Sequence, residues 1–265
     1  MAELLTERIR RNARELKLYG LDESADSLVE RAERGKLGYR EFLDLVLEDE
    51  VSVLEGRRYA SRLKLSALPH RKTLDEFDVG FQPDLDPKRL RELRTLRFIE
   101  RRVSLLVFGP PGVGKSHFAV GLAMDALRRG YLVRYTTLDE LVRSLREADA
   151  LGKLKPKLSH LQRPQLLILD EAGFLPLDRQ DANRLFQVIN RRYTRGSTIV
   201  TSNKSASEWA ELFGDEVLAA AILDRLLHDA EVLTINGPSY RLKGRLEELR
   251  SGLEDGREGR NDPDR

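Results

Sequence analysis

Along residues 6–65 the apolar positions recur three and four apart, the spacing that gives a helix one buried face. The first two stretches, "LTERIRRNARELKLYG" and "LDESADSLVERAERGK", each run into a glycine, and "GYREFLDLVLEDEVSVLEGRRYASRLKLSAL" continues the same period. The pattern predicts a small domain of about three helices over residues 1–67. Residues 68–102 break it with prolines, a glycine and short charged clusters, and read as a linker laid on the following domain and ending in a helix. From residue 103 the pattern changes again. Short β-rich runs ("SLLVF", "YLVRYTT", "QLLILD", "STIVTS", "AEVLTI") alternate with amphipathic segments that begin at Lys115, Asp139, Asp178 and near Glu216. That alternation predicts an α/β domain over 103–245, a three-layer fold in which helices cover both faces of a parallel sheet. Residues 246–265 carry almost no apolar side chain and are expected to be a disordered acidic tail.

The 265 residues suffice for one large α/β domain and a small helical one. The absence of cysteine removes disulfides, thiolate zinc sites and cysteine nucleophiles together. The four histidines, His70, His117, His160 and His228, are too scattered to suggest a zinc site. No apolar run approaches the ~20 residues that span a bilayer, and the first residues are charged throughout, so a soluble, cytoplasmic protein without a membrane contact is expected. The net charge of +2 hides an uneven distribution. Acids lead thirteen to nine in residues 1–50 and seven to four in 246–265, whereas bases lead thirteen to eight over 51–103 and twenty to sixteen over 104–245. A basic middle suits a nucleic-acid partner and equally suits a solvated face.

Chemistry enters at Gly109-Pro110-Pro111-Gly112-Val113-Gly114-Lys115-Ser116, which fits G-x-x-x-x-G-K-[ST] between a predicted strand and a predicted helix. The glycines let backbone N–H groups turn toward phosphates, Lys115 supplies a cation, and Ser116 offers a hydroxyl to Mg²⁺. These eight residues, with His117 after them, are assigned to ATP, and the three-layer domain to the P-loop NTPase fold. A second motif, "LLILDEAG", brings Asp170 and Glu171 to a strand's C-terminal end, where open α/β sheets bind ligands. Asp170 is placed to hold Mg²⁺ through water. Glu171 is placed to orient a water for attack on the γ-phosphate, which favours hydrolysis over transfer to a second substrate and argues against a small-molecule kinase. A full strand and helix separate the two motifs, so a further strand, "STIVTSN", is expected between them in the sheet, its Thr201, Ser202 and Asn203 near the γ-phosphate.

Together "GPPGVGKSHFAVGLA", "LLILDEAGFLPLD", "INRRYTRGSTIVTSN" and "ILDRLLHDAEVLTINGPSYRLK" resemble the IstB-like AAA+ ATPases, helper proteins of insertion-sequence transposition, and the likeness covers nearly the whole chain except the tail. The resemblance implies an ATP-dependent regulator that self-assembles on double-stranded DNA and recruits and stimulates an integrase-type transposase. It gives Asn203 the first-sensor role and makes Arg225 the finger that a neighbouring subunit inserts toward the γ-phosphate, with Arg191 and Arg192 as a second candidate pair. The linker residues Phe77 and Phe81 would pack on adenine or serve the core, and Arg241 would approach the nucleotide from the C-terminal side. Lys153, Lys155 and Lys157 form either a phosphate-contacting stretch facing the nucleic-acid channel or a solvated loop. The basic cluster Arg8, Arg10, Arg11, Arg14 and Lys17 fits DNA or a protein partner. The alternative that the resemblance leaves open is a replicative helicase loader of the DnaC type.

Overall fold

The computed structural model describes residues 2–173, 176–205, 208–209, 213 and 215–242. The acidic tail and the end of the run "SYRLK" lie outside them. Contacts divide the chain into two compact units, Met1–Arg62 and Leu63–Arg265.

The N-terminal part consists of α1 (Ala2–Leu16), α2 (Tyr19–Gly35) and α3 (Tyr39–Ser66), the three helices that the periodicity predicts. The first stop differs. Gly20 was expected to end the first helix, but Lys17, with φ +60°, breaks it, and Gly20 lies inside α2. A distant carboxylate decides this: Glu50 of α3 accepts from the backbone N–H groups of Tyr19 at 3.0 Å and Leu21 at 3.1 Å. The orphan amides that open α2 are thereby satisfied, with a negative charge at the positive end of its dipole.

In the second unit, single turns of 3₁₀ helix at Leu74–Glu76 and Val79–Phe81 precede α4 (Pro87–Arg94) and α5 (Arg97–Glu100). The sheet follows, with β1 (Leu105–Phe108), α6 (Lys115–Arg128), β2 (Val133–Thr137), α7 (Leu138–Ala150), α8 (Leu154–Gln162), β3 (Leu166–Ala172), α9 (Arg179–Arg192), β4 (Ser197–Ser202), α10 (Glu216–Leu227) and β5 (Glu231–Thr234). All five strands are parallel, in the order β2-β3-β4-β1-β5. The strand carrying Thr201 therefore does separate the strands that end in the two motifs. Leu105, Leu106, Val107, Leu166, Leu167 and Ile168 are completely buried, as continuous apolar runs in a doubly covered sheet must be. Side-chain caps start the helices where the strands deliver them: Thr137 and Glu140 form a capping box on α7, Asp178 caps α9, and Asp215 caps α10.

Residues 153–157 do not form a loop. Lys155 and Lys157 lie in α8, about 200° apart around its axis, and Lys153 precedes its first turn. Lys153 and Lys155 are exposed, whereas Lys157 is half-buried beside Arg134 and His160. The three lysines therefore cannot act as one alternating row. Among the described residues no helix is long and apolar enough to cross a membrane.

Candidate functional site

The C-terminal ends of β1, β3 and β4 open on a cavity of about 420 Å³, lined on one side by the Pro111–His117 loop and on the other by Glu171, Thr201 and Asn203. Two glycines make the loop possible. Gly109 has φ +150°, and a Cβ there would come within 2.1 Å of the Ile235 carbonyl oxygen; Gly114 has φ +98°, and a Cβ there would come within 2.8 Å of the Phe77 ring. Among the described residues no side chain caps α6 at Gly114, so its N-terminal amides are available to an anion in the cavity.

The Lys115 ammonium lies folded into the loop and donates to the carbonyl oxygens of Gly109 and Pro110, each at 2.8 Å. Burial holds its pKa below the usual lysine value, with Asp170 opposing the shift and Arg241 adding to it. Arg241 also lines the cavity, as expected of a residue that approaches the nucleotide from the C-terminal side. The Ser116 hydroxyl donates to Asp170 Oδ1 at 3.0 Å, Tyr135 O–H donates to Oδ2 at 2.7 Å, and the Thr201 hydroxyl also donates to Oδ1. Asp170 itself is only 2% exposed. Burial, and then the bond to the carboxylate, push the Tyr135 phenol well above its ordinary pKa, so it remains a donor.

Glu171 is exposed toward the cavity, with φ +60° at the irregularity where β3 shifts register against β4 between Leu169 and Ala172. Its amide donates to Thr201 Oγ1 at 3.0 Å. Asn203 lines the same cavity, and its buried Oδ1 has no hydrogen-bond partner among the described residues. Hard oxygen donors on Ser116 and Asp170 fit Mg²⁺, the uncapped helix end and the nearby cation fit a triphosphate, and the Asn203 carbonyl oxygen can accept from a water.

Other expectations change. Ser202 is not directed at the phosphate: its buried Oγ accepts from Trp209 Nε1 at 3.2 Å and from the Lys204 amide at 3.0 Å. This also explains Trp209 as a packing anchor with its N–H satisfied. His117 borders the cavity, but its Nε2 lies 2.9 Å from the Thr73 carbonyl and its ring packs edge-on against Phe77, at 5.3 Å between centroids. Phe77 also lines the cavity, with its ring buried against Gly114 and Phe118, while Phe81 packs on Tyr240.

Arg192 cannot be a finger. It is 2% exposed, and its guanidinium donates to the carbonyls of Leu161 and Pro164 at 2.9 Å each, to Ser197 O at 2.6 Å and to Thr198 Oγ1 at 3.2 Å. Burial lowers its pKa to about 10, so it stays charged at neutral pH while joining the entries of β3 and β4. Arg225 differs. It is half-buried, donates to Asn190 Oδ1 at 2.8 Å and lies over Phe186. It shares a separate cleft with Ser104 and Thr198, at the N-terminal ends of β1 and β4. The six residues of β4 extend about 20 Å between that cleft and the cavity, so Arg225 does not reach its own chain's phosphate site. Lys153, Lys155 and Lys157 do not line the cavity either.

Sequence reasoning missed Tyr135 as a partner of Asp170. Its only signal is a tyrosine among the polar residues of the strand before the one that ends in the motif.

A model of the IstB-like ATP binding protein family matches residues 11–248. The ATP-binding protein of insertion sequence IS5376 from Geobacillus stearothermophilus is 46% identical over 239 residues, 90% of this chain and 95% of that one. That of insertion sequence IS21 from Pseudomonas aeruginosa is 46% identical over 228 residues, 86% of each. Among solved structures, AMPPCP-bound DnaA from Aquifex aeolicus is similar with a TM-score of 0.54 at 21% identity, covering 70% of this chain and 56% of that one, a likeness of fold. A parallel five-stranded sheet of AAA+ type, a glycine loop at the start of α6, carboxylates at the end of β3 and relatives of nearly full length lead to one conclusion: the chain belongs to the IstB-like ATP-binding proteins of IS21-type insertion sequences.

Proposed function

We propose that the protein is an ATPase that assembles on double-stranded DNA and, in the assembled state, recruits and stimulates an integrase-type transposase. The observation that carries this reading is the convergence of Lys115, Ser116, Glu171 and Asn203 on one cavity, with Asp170 bonded to Ser116 behind it, while Arg225 stands at the far end of the same sheet.

In this reading the triphosphate lies on the N-terminus of α6, and Lys115 exchanges the carbonyls of Gly109 and Pro110 for phosphate oxygens. Ser116 and Asp170 would hold Mg²⁺, which supplies neutralising charge to the outer phosphates. Glu171 accepts a hydrogen bond from a water and orients it in line with the γ-phosphorus, and Asn203 steadies that water or the γ-phosphate. The water oxygen bonds to phosphorus as the bond to the β–γ bridging oxygen breaks, giving ADP and phosphate. The charge that develops there is met by Arg225 of a neighbouring copy, which makes turnover depend on assembly. Nothing in this constellation cuts DNA, so strand chemistry is left to the transposase. Lys153 and Lys155, exposed at the start of α8, remain candidates for phosphate contacts that depend on salt and not on base sequence.

The test is ATP turnover and sedimentation of the full chain with duplex and with single-stranded DNA. The reading expects ATP-dependent assembly on duplex and hydrolysis that rises with it. Full-rate turnover by a dilute single subunit, indifferent to DNA, would refute it. Preference for single strands would favour the helicase-loader reading, against which the 46% identity to proteins of insertion sequences weighs.

A further inference from the structure

The mechanism above uses Glu171 but leaves unexplained what holds it. Its backbone is in the left-handed region, which a β-carbon disfavours. It also sits where β3 slips register, the kind of irregularity that re-aims a side chain at a strand end. Two of its neighbours are fixed. Asp170, one residue earlier, is locked by Tyr135, Ser116 and Thr201. Thr201 is 1% exposed on β4 and lies opposite Val107 of β1, in the middle of the sheet. Its hydroxyl has one proton, which goes to Asp170 Oδ1, and its oxygen accepts the Glu171 amide at 3.0 Å.

We propose that Thr201 is a positioning residue for hydrolysis: its hydroxyl, pinned by Asp170, holds the Glu171 amide so that the left-handed backbone persists and the carboxylate faces the γ-phosphate site. The inference rests on the reading of Glu171 as the water-orienting group. It also gives one buried hydroxyl the task of keeping the magnesium carboxylate and the catalytic carboxylate in a fixed relation. Valine has nearly the same shape but can neither donate to Asp170 nor accept from Glu171.

The experiment compares Thr201→Val, Thr201→Ser, Tyr135→Phe and Glu171→Gln in the full chain with ATP, Mg²⁺ and duplex DNA. Thr201→Val should lower kcat by about tenfold or more with KM for ATP within about twofold, the signature of a contact needed only in the transition state. Thr201→Ser should restore most of the rate. In nucleotide-free protein, hydrogen exchange of the Glu171 amide should accelerate in Thr201→Val and stay near the parent rate in Thr201→Ser. Tyr135→Phe removes a different donor from Asp170 and should raise the magnesium concentration needed for half-maximal rate while leaving the Glu171 amide protected. A parental kcat in Thr201→Val, or an unchanged Glu171 amide, overturns the proposal. So does a Tyr135→Phe defect equal to that of Thr201→Val at saturating Mg²⁺, because the effect would then run through Asp170 alone. Turnover that survives Glu171→Gln overturns the reading beneath the proposal, whereas turnover lost in Glu171→Gln but intact in Thr201→Val overturns the proposal only.

Discussion

Replacing Arg192 with methionine separates structure from catalysis at a residue that the sequence left as a finger candidate. Methionine keeps the unbranched stem and removes the guanidinium, so three carbonyls now held at 2.9, 2.9 and 2.6 Å lose their donor. They belong to Leu161, Pro164 and Ser197, and the side chain that serves them is almost wholly buried, so water has little access. Each abandoned carbonyl costs about 1–3 kcal/mol, and allowing for local relaxation the sum is about 4–6 kcal/mol. That is a large fraction of the ~5–15 kcal/mol that stabilises a whole domain. For a unit of this size, roughly 2–4 °C of melting temperature is lost per kcal/mol, so the variant should melt about 10–20 °C lower. The assay is a circular-dichroism melt paired with ATP binding well below the transition, where the folded fraction should bind nucleotide normally. A variant that melts with the parent yet has lost DNA-stimulated hydrolysis would refute the structural role and return Arg192 to the catalytic candidates.

Arg225→Ala should bind ATP like the parent and lose at least about tenfold in DNA-stimulated hydrolysis, as removal of a transition-state cation does; mixing it with Glu171→Gln should restore some turnover, and failure of that complementation would argue against action in trans. Lys153→Ala with Lys155→Ala should weaken duplex binding and reduce the slope of log affinity against log salt by about two, whereas Lys157→Ala, half-buried away from that pair, should change the slope less; an unchanged slope in the double variant removes α8 from the DNA contact. Gly114→Ala, with its Cβ 2.8 Å from Phe77, should lower ATP affinity more than it lowers the melting temperature, and titration with a fluorescent ATP analogue measures the first. Glu50→Gln should cost about 1 kcal/mol at the start of α2, visible as faster amide exchange over residues 19–22 with ATP binding intact.

The sequence by itself determined the pieces that depend on neighbours along the chain. The glycine loop before α6, the carboxylates at the end of an apolar strand, the alternation of strand and helix, and the placing of the Thr201 strand between the two motif strands follow from local conformational preference, the period of the apolar residues and the need to cover both sheet faces. Only the tertiary structure decided what each polar side chain is for. Arg191 and Arg192 are adjacent in sequence, and the fold buries Arg192 among carbonyls from α8, the segment that follows it and β4, which lie far from it along the chain or across a turn. Tyr135, Thr201 and Asp170 come from three different strands and meet because those strands are neighbours in the order β2-β3-β4. Glu50 supplants Gly20 as the feature that shapes the start of α2, and a helix turns the lysines of 153–157 in different directions. The physical reason is common to all of these. Periodicity records which face of an element is apolar, whereas a buried hydrogen bond depends on which groups the packed elements bring within about 3 Å, a relation between residues that no local pattern contains.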